Sequence, residues 1–149
     1  MILPITLTIA GVAALINIWL MLRVGRVRTS EKISVGDGGN EFLLRRMRAH
    51  SNYGESMPIV LILIGVIEMA SLVMGDGAPL WLWLVGGVYM LGRVAHGIGM
   101  DGGKLGVGRA IGTVVTLLVM VGLAAYAISI PYLTIPDIPA APVTTAMLR

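Results

Sequence analysis

Apolar residues fall into four long blocks separated by short polar connections. From Met1 to Leu22 no side chain is charged. As a helix rising about 1.5 Å per residue, this block reaches roughly 33 Å, enough for a bilayer core. A signal peptide would need a basic head and a small-residue cleavage site, and neither precedes the basic stretch. The second block runs from Met57 to Met74, interrupted only by Glu68, and Gly75-Asp76-Gly77-Ala78-Pro79 reads as a turn. The third runs from Leu80 to about Met100, where Asp101-Gly102-Gly103 marks the next turn. The fourth runs from about Gly108 to Ile130, and Pro131 is expected to end it. The pattern predicts an all-α integral membrane protein, a four-helix transmembrane bundle over residues 1–130. A tail over residues 131–149 follows, with prolines at 131, 136, 139 and 142. Such a tail is expected to lie against something, and is a candidate contact with a larger membrane complex.

Composition agrees with lipid as the solvent. Of 149 residues, 56% are hydrophobic and 13% charged, against roughly 45–50% and 25% in soluble domains. A globule this small leaves roughly a third of its chain surface in water, so burial cannot absorb the excess. There is no cysteine, so any thiol chemistry must use a ligand's thiol. A net charge of +3 alone is compatible with nucleic-acid binding, but the charges are placed otherwise. Seven of the eleven Lys and Arg lie between Arg23 and Arg48, and Lys104 and Arg109 follow in the third connection. Cations in alternate connections indicate cytoplasmic loops, which puts both termini on the periplasmic side.

The informative residues are polar ones at membrane depth. Glu41, Arg45, Arg48, Asn52 and Glu55 recur at steps of four and three, so Arg48, Asn52 and Glu55 share one helix face. That helix is expected to begin in water with Asn40 as N-cap and to enter the membrane without a break. Arg93 and His96 share a face of the third block, and Arg109 opens the fourth, followed by Thr113 and Thr116. With Arg28, these residues form a mainly basic set at one membrane level, suited to a small anion that accepts bidentate bonds. Glu68 is expected to make a helix–helix hydrogen bond or to reach the interface. The spacings Gly99/Gly103 and Gly108/Gly112 suggest close helix contact. Two histidines 46 residues apart are poor grounds for a metal site.

The segment Arg48-Ala49-His50-Ser51-Asn52-Tyr53-Gly54-Glu55-Ser56-Met57-Pro58 resembles the second-helix signature of the MAPEG family, the membrane-associated proteins in eicosanoid and glutathione metabolism. Gly92-Arg93-Val94-Ala95-His96 is similar to the third-helix motif of that family's prostaglandin synthase, and the spacing to Arg109 matches the fourth-helix arginine. Gly36-Asp37-Gly38-Gly39-Asn40 resembles the bacterial branch. The resemblance implies a homotrimer in the bacterial inner membrane, with glutathione bound between subunits near the cytoplasmic face. It implies that Arg48, Asn52 and Glu55 hold the tripeptide, that Arg28, Arg93 and His96 line the same pocket, and that Arg109 activates the thiol. There are departures. Met100 stands where the eicosanoid synthases carry a tyrosine, Ala110 and Thr113 replace a serine and a tyrosine, and Ser51 replaces an arginine.

The function expected is therefore a glutathione transferase or peroxidase acting on lipophilic electrophiles or hydroperoxides, with glutathione as co-substrate and no metal. The alternative is a non-catalytic scaffold or accessory subunit of a larger membrane complex. Two further expectations concern charge. Arg109 should face a neighbouring subunit's Arg48 across an open cleft, and Glu55 should make its main contact with a cation there.

Overall fold

The computed structural model describes residues 2–103 and 106–134, with side chains given through Leu133. Four helices follow in order: α1 (Pro4–Glu31), α2 (Glu41–Met74), α3 (Leu80–Gly99) and α4 (Val107–Thr134). A single 3-10 turn, Met100–Gly102, links α3 towards α4.

Local chemistry sets most of the boundaries. Pro4 occupies the first turn of α1, where its missing N–H costs nothing. Asn40 caps α2 as its sequence suggests, its side-chain oxygen accepting from the Leu43 N–H at 3.0 Å. Gly75, at φ 88°, closes the other end of α2 in the left-handed region. The start of α1 is capped from outside its own sequence. Glu68 of α2 is fully buried and accepts from the backbone N–H of Ile5 at 2.9 Å and of Thr6 at 2.8 Å, and from the Thr6 hydroxyl at 2.7 Å. The helix–helix hydrogen bond expected of Glu68 is thus made to the first turn of α1, where the macrodipole favours a carboxylate. Pro131 does not end the last helix, contrary to expectation, and α4 runs through it to Thr134. A proline near a helix end costs only the ladder's last rungs. The Pro-rich tail beyond lies outside the described residues.

Neighbouring helices run antiparallel, with α1 chiefly against α2 and α3 chiefly against α4. Ile5, Ile9, Ala13, Ile16 and Leu20 form the buried stripe of α1, at helical spacing, and meet Val60, Ile64 and Ile67 of α2 and Leu82 and Tyr89 of α3. Leu15, Ile62, Leu84, Leu118 and Val121 point outward and are exposed. An apolar exterior of this extent requires lipid around it. By length and composition α1, α2 and α4 can each cross a membrane. In α3 the same apolar run is diluted by Arg93, His96 and five glycines, and all the polar side chains of its lower half turn inward.

Glycine permits the tight α3–α4 crossing. A Cβ at Gly99 would collide with the backbone nitrogen of Arg109, and one at Gly112 would meet the Gly92 carbonyl oxygen and His96 Cβ at 2.5 Å. Gly108 and Gly112 therefore belong to the contact their spacing suggested. Gly103 does not, because it sits beyond the 3-10 turn at φ 72° beside Arg45.

Candidate functional site

At the end of the bundle where the cations gather, α2, α3 and α4 diverge around an open cleft of about 450 Å³. One helix face of α2 contributes Arg48, Ser51, Asn52 and Glu55. His96 and Met100 come from the end of α3 and its following turn, and Arg109 and Thr113 from the first turns of α4. The steps of three and four along α2 put its four residues in line, and the glycine-mediated crossing carries Arg109 against the end of α3. Five of the seven residues picked out in the sequence therefore meet in one place: Arg48, Asn52, Glu55, His96 and Arg109.

Arg93 and Arg28 do not line it. Arg93 is only 1% exposed and lies behind the cleft wall. Its guanidinium donates to Asn52 Oδ1 at 3.0 Å and to Thr116 Oγ1 at 3.0 Å, and lies 5.7 Å from the centre of the Tyr53 ring. Among the described residues its Nε has no partner, and no carboxylate bonds to it. Arg28 is on the opposite flank of α2, at the end of α1. There it donates to the Ser34 carbonyl oxygen at 3.2 Å and to Met47 Sδ at 3.5 Å. It lines a separate groove of about 560 Å³ with Val24, Met47 and His50, and that groove shares Ser51 and Glu55 with the cleft.

Within one chain, Arg48 and Arg109 line the same cleft. Glu55 makes its hydrogen bond within its own helix. It accepts from the Ser51 hydroxyl one turn earlier at 3.0 Å, and among the described residues it joins no ion pair. A carboxylate and guanidinium groups at a wide, wet mouth gain little from pairing and remain available to a ligand.

Two of the three ion pairs among the described residues lie beside the cleft, around a residue the sequence suggested only as a turn. Asp101 accepts from Arg23 of α1 at 2.6 Å and from Arg46 of α2 at 3.2 Å through both oxygens. Arg23 also donates to the Gly97 carbonyl at 2.8 Å, and Arg46 to the Arg23 carbonyl at 3.0 Å. Burial would raise the Asp101 carboxyl, but the Arg46 hydrogen bonds and the charge of Arg23 outweigh it and hold the group below the usual carboxylate value. The knot ties the connection carrying Met100 to both α1 and α2. The available signal was that Asp101 is the one acid in a basic connection.

Comparison with known proteins decides the family. The MAPEG family model matches residues 6–129, most of the chain. The chain belongs to the MAPEG family. It is also similar to the inner membrane protein YecN of Escherichia coli strain K12, 32% identical over 88 residues, covering 58% of this chain and 63% of YecN. The YecN protein of E. coli O6:H1 gives the same figures. The match thus spans a little under two thirds of these relatives' length, at 63%. Family and fold together make this MAPEG member an all-helical integral membrane protein.

Proposed function

We propose that this MAPEG member is a membrane-bound glutathione transferase or peroxidase of the bacterial inner membrane, acting on lipophilic electrophiles or hydroperoxides. The observation that carries the reading is one cleft with two guanidinium groups, Arg48 and Arg109, that no acid among the described residues neutralises, and with Glu55 as the one carboxylate among its described lining residues. Glutathione has the complementary charges: two carboxylates for the arginines and Asn52, and one ammonium for Glu55. A cleft of about 450 Å³ lies within the roughly 300–1,000 Å³ of ligand sites.

Arg109 is the group suited to the thiol. A free thiol of pKa about 8.5 is mostly protonated at neutral pH, and an adjacent guanidinium favours the thiolate. In conjugation the thiol proton leaves to solvent, the sulfur–carbon bond forms, and the electrophile's leaving group departs as an anion. In the peroxidase variant two glutathiones give up two protons and two electrons, yielding the disulfide, the lipid alcohol and water.

The assembly belongs to the same proposal. Arg48, Asn52, Glu55, Ile59, Ile62, Val66, Met69 and Val73 are all exposed along α2, at alternating steps of four and three. A seam of that period is what helices present to one another in a bundle. Three copies closing on it form a homotrimer. Because Ser51 and Glu55 border both the cleft and the Arg28 groove, the seam can set one subunit's Arg28 beside its neighbour's cleft. In this arrangement α3, about 30 Å long at 1.5 Å per residue, is the fourth span. The basic end is cytoplasmic and both termini are periplasmic.

The test is activity of the detergent-purified protein with millimolar glutathione, using a dinitrohalobenzene or a lipid hydroperoxide as acceptor. Turnover lost in Arg109→Leu is expected. Absence of both turnover and glutathione binding by calorimetry would refute the reading. Binding without turnover would favour a non-catalytic scaffold or accessory subunit, a reading motivated by Met100 and Ala110 standing where related synthases carry hydroxyls.

A further inference from the structure

Arg93 is the buried charge that the proposed chemistry leaves without a task. It cannot touch a ligand in the cleft, since it is 1% exposed. It does touch Asn52, which is exposed and lines the cleft. A guanidinium has five donors and no acceptor, so only the oxygen end of an amide can face it. The other arm of Arg93 is anchored in the same way. Thr116 gives its hydroxyl proton to the Gly112 carbonyl at 2.8 Å, which leaves its oxygen lone pair to accept from Arg93. With both arms fixed, the amide of Asn52 has one orientation. Its oxygen is held inward and its two N–H groups remain for the cleft. The reverse orientation would set an NH2 group against a guanidinium and leave both sets of donors unsatisfied.

We infer that Arg93 is a positioning residue that fixes the Asn52 amide so that it presents only N–H donors to the cleft, making this wall a receptor for a carboxylate or similar anionic group. The wall then matches Arg48 and Arg109, which are also donor-only, and Glu55 is left as the one charged acceptor. The inference rests on the glutathione reading for the ligand's identity, but not for the orientation of the amide.

The chain has three asparagines, Asn17, Asn40 and Asn52, so selective nitrogen-15 labelling gives three side-chain NH2 pairs, and Asn52→Asp identifies its own by loss. In the full-length protein the Asn52 pair should exchange with water and shift on titration with inorganic sulfate, and also with glutathione. Arg93→Met should weaken the sulfate response about tenfold, whereas Arg93→Lys, still a pure donor, should stay within about threefold. Glutathione binding supplies a cycle. Asn52→Ala and Arg93→Met should each weaken it about tenfold, and Arg93→Met should add less than twofold in the Asn52→Ala background. An Asn52 amide shielded from water and indifferent to sulfate overturns the inference, even if Arg93→Met does not fold. Multiplicative losses in the cycle overturn it as well. A sulfate response without glutathione binding would remove the glutathione reading and leave the role of Arg93 standing.

Discussion

Glu68 offers the sharpest test of how α1 is held, because its three partners all lie in the first turn of another helix. Replacement by leucine removes the acceptor and leaves the Ile5 and Thr6 N–H groups facing apolar side chains, with the Thr6 hydroxyl beside them. Each buried donor left unmade costs about 1–3 kcal/mol, and lipid offers no water to repair it. The three together should cost at least about 3 kcal/mol, with a further loss of about 1 kcal/mol as the carboxylate leaves the positive end of the helix. Glutamine keeps one carbonyl oxygen but turns an NH2 group towards donors, so Glu68→Gln should fall between wild type and Glu68→Leu. Thermal unfolding in a mild detergent, followed by helical circular dichroism, ranks the three proteins. A Glu68→Leu protein as stable as wild type, or more stable than Glu68→Gln, would refute the cap.

Four other outcomes follow from geometry. Gly99→Ala should destabilise the protein by about 1–3 kcal/mol and impair ligand binding, because the added Cβ meets the Arg109 backbone; Gly87→Ala, where a Cβ meets open space, should be neutral or stabilising in the same melt. Asp101 is held below its unfolded value of about 3.9, so its contribution is fully present above that value and is lost as pH falls through the lower folded value. The melting temperature of wild type should therefore drop below about pH 4 relative to that of Asp101→Asn, which should be less stable at pH 7 and lack that step. If Arg109 holds the thiolate, glutathione bound to wild type should titrate below about 8.5 by ultraviolet absorbance, and Arg109→Leu should return it there. Ile62→Lys, in the exposed seam of α2, should convert a trimer to monomers in native mass spectrometry while leaving the helical content unchanged.

Most of the fold was legible because lipid leaves a simple signal. The four helices, the Asn40 cap and the Gly75–Pro79 turn all stand close to where apolar runs and turn residues put them. The end of α4 was not, because a proline in a helix's last turns breaks few rungs and the sequence does not say how many follow. The cleft was legible where residues share one helix face, as Arg48, Asn52 and Glu55 do. It failed where depth mattered. Helical spacing aligned Arg93 with His96, but only the α2 and α4 side chains beside them decide that Arg93 lies behind the wall and His96 in it. The Asp101 knot was hidden for the opposite reason, since its partners Arg23 and Arg46 are 78 and 55 residues away in sequence.

The same separation orders the protein's synthesis. Arg23 and Arg46 leave the ribosome before Asp101, so both cations stand without this partner while the first two helices are made. Asp101 arrives only after α3, and by tying the following turn to helices already in place it closes the wall that carries Met100. A chain that stops after α3 lacks Arg109 and Thr113, so the cleft is complete only once the last helix is made.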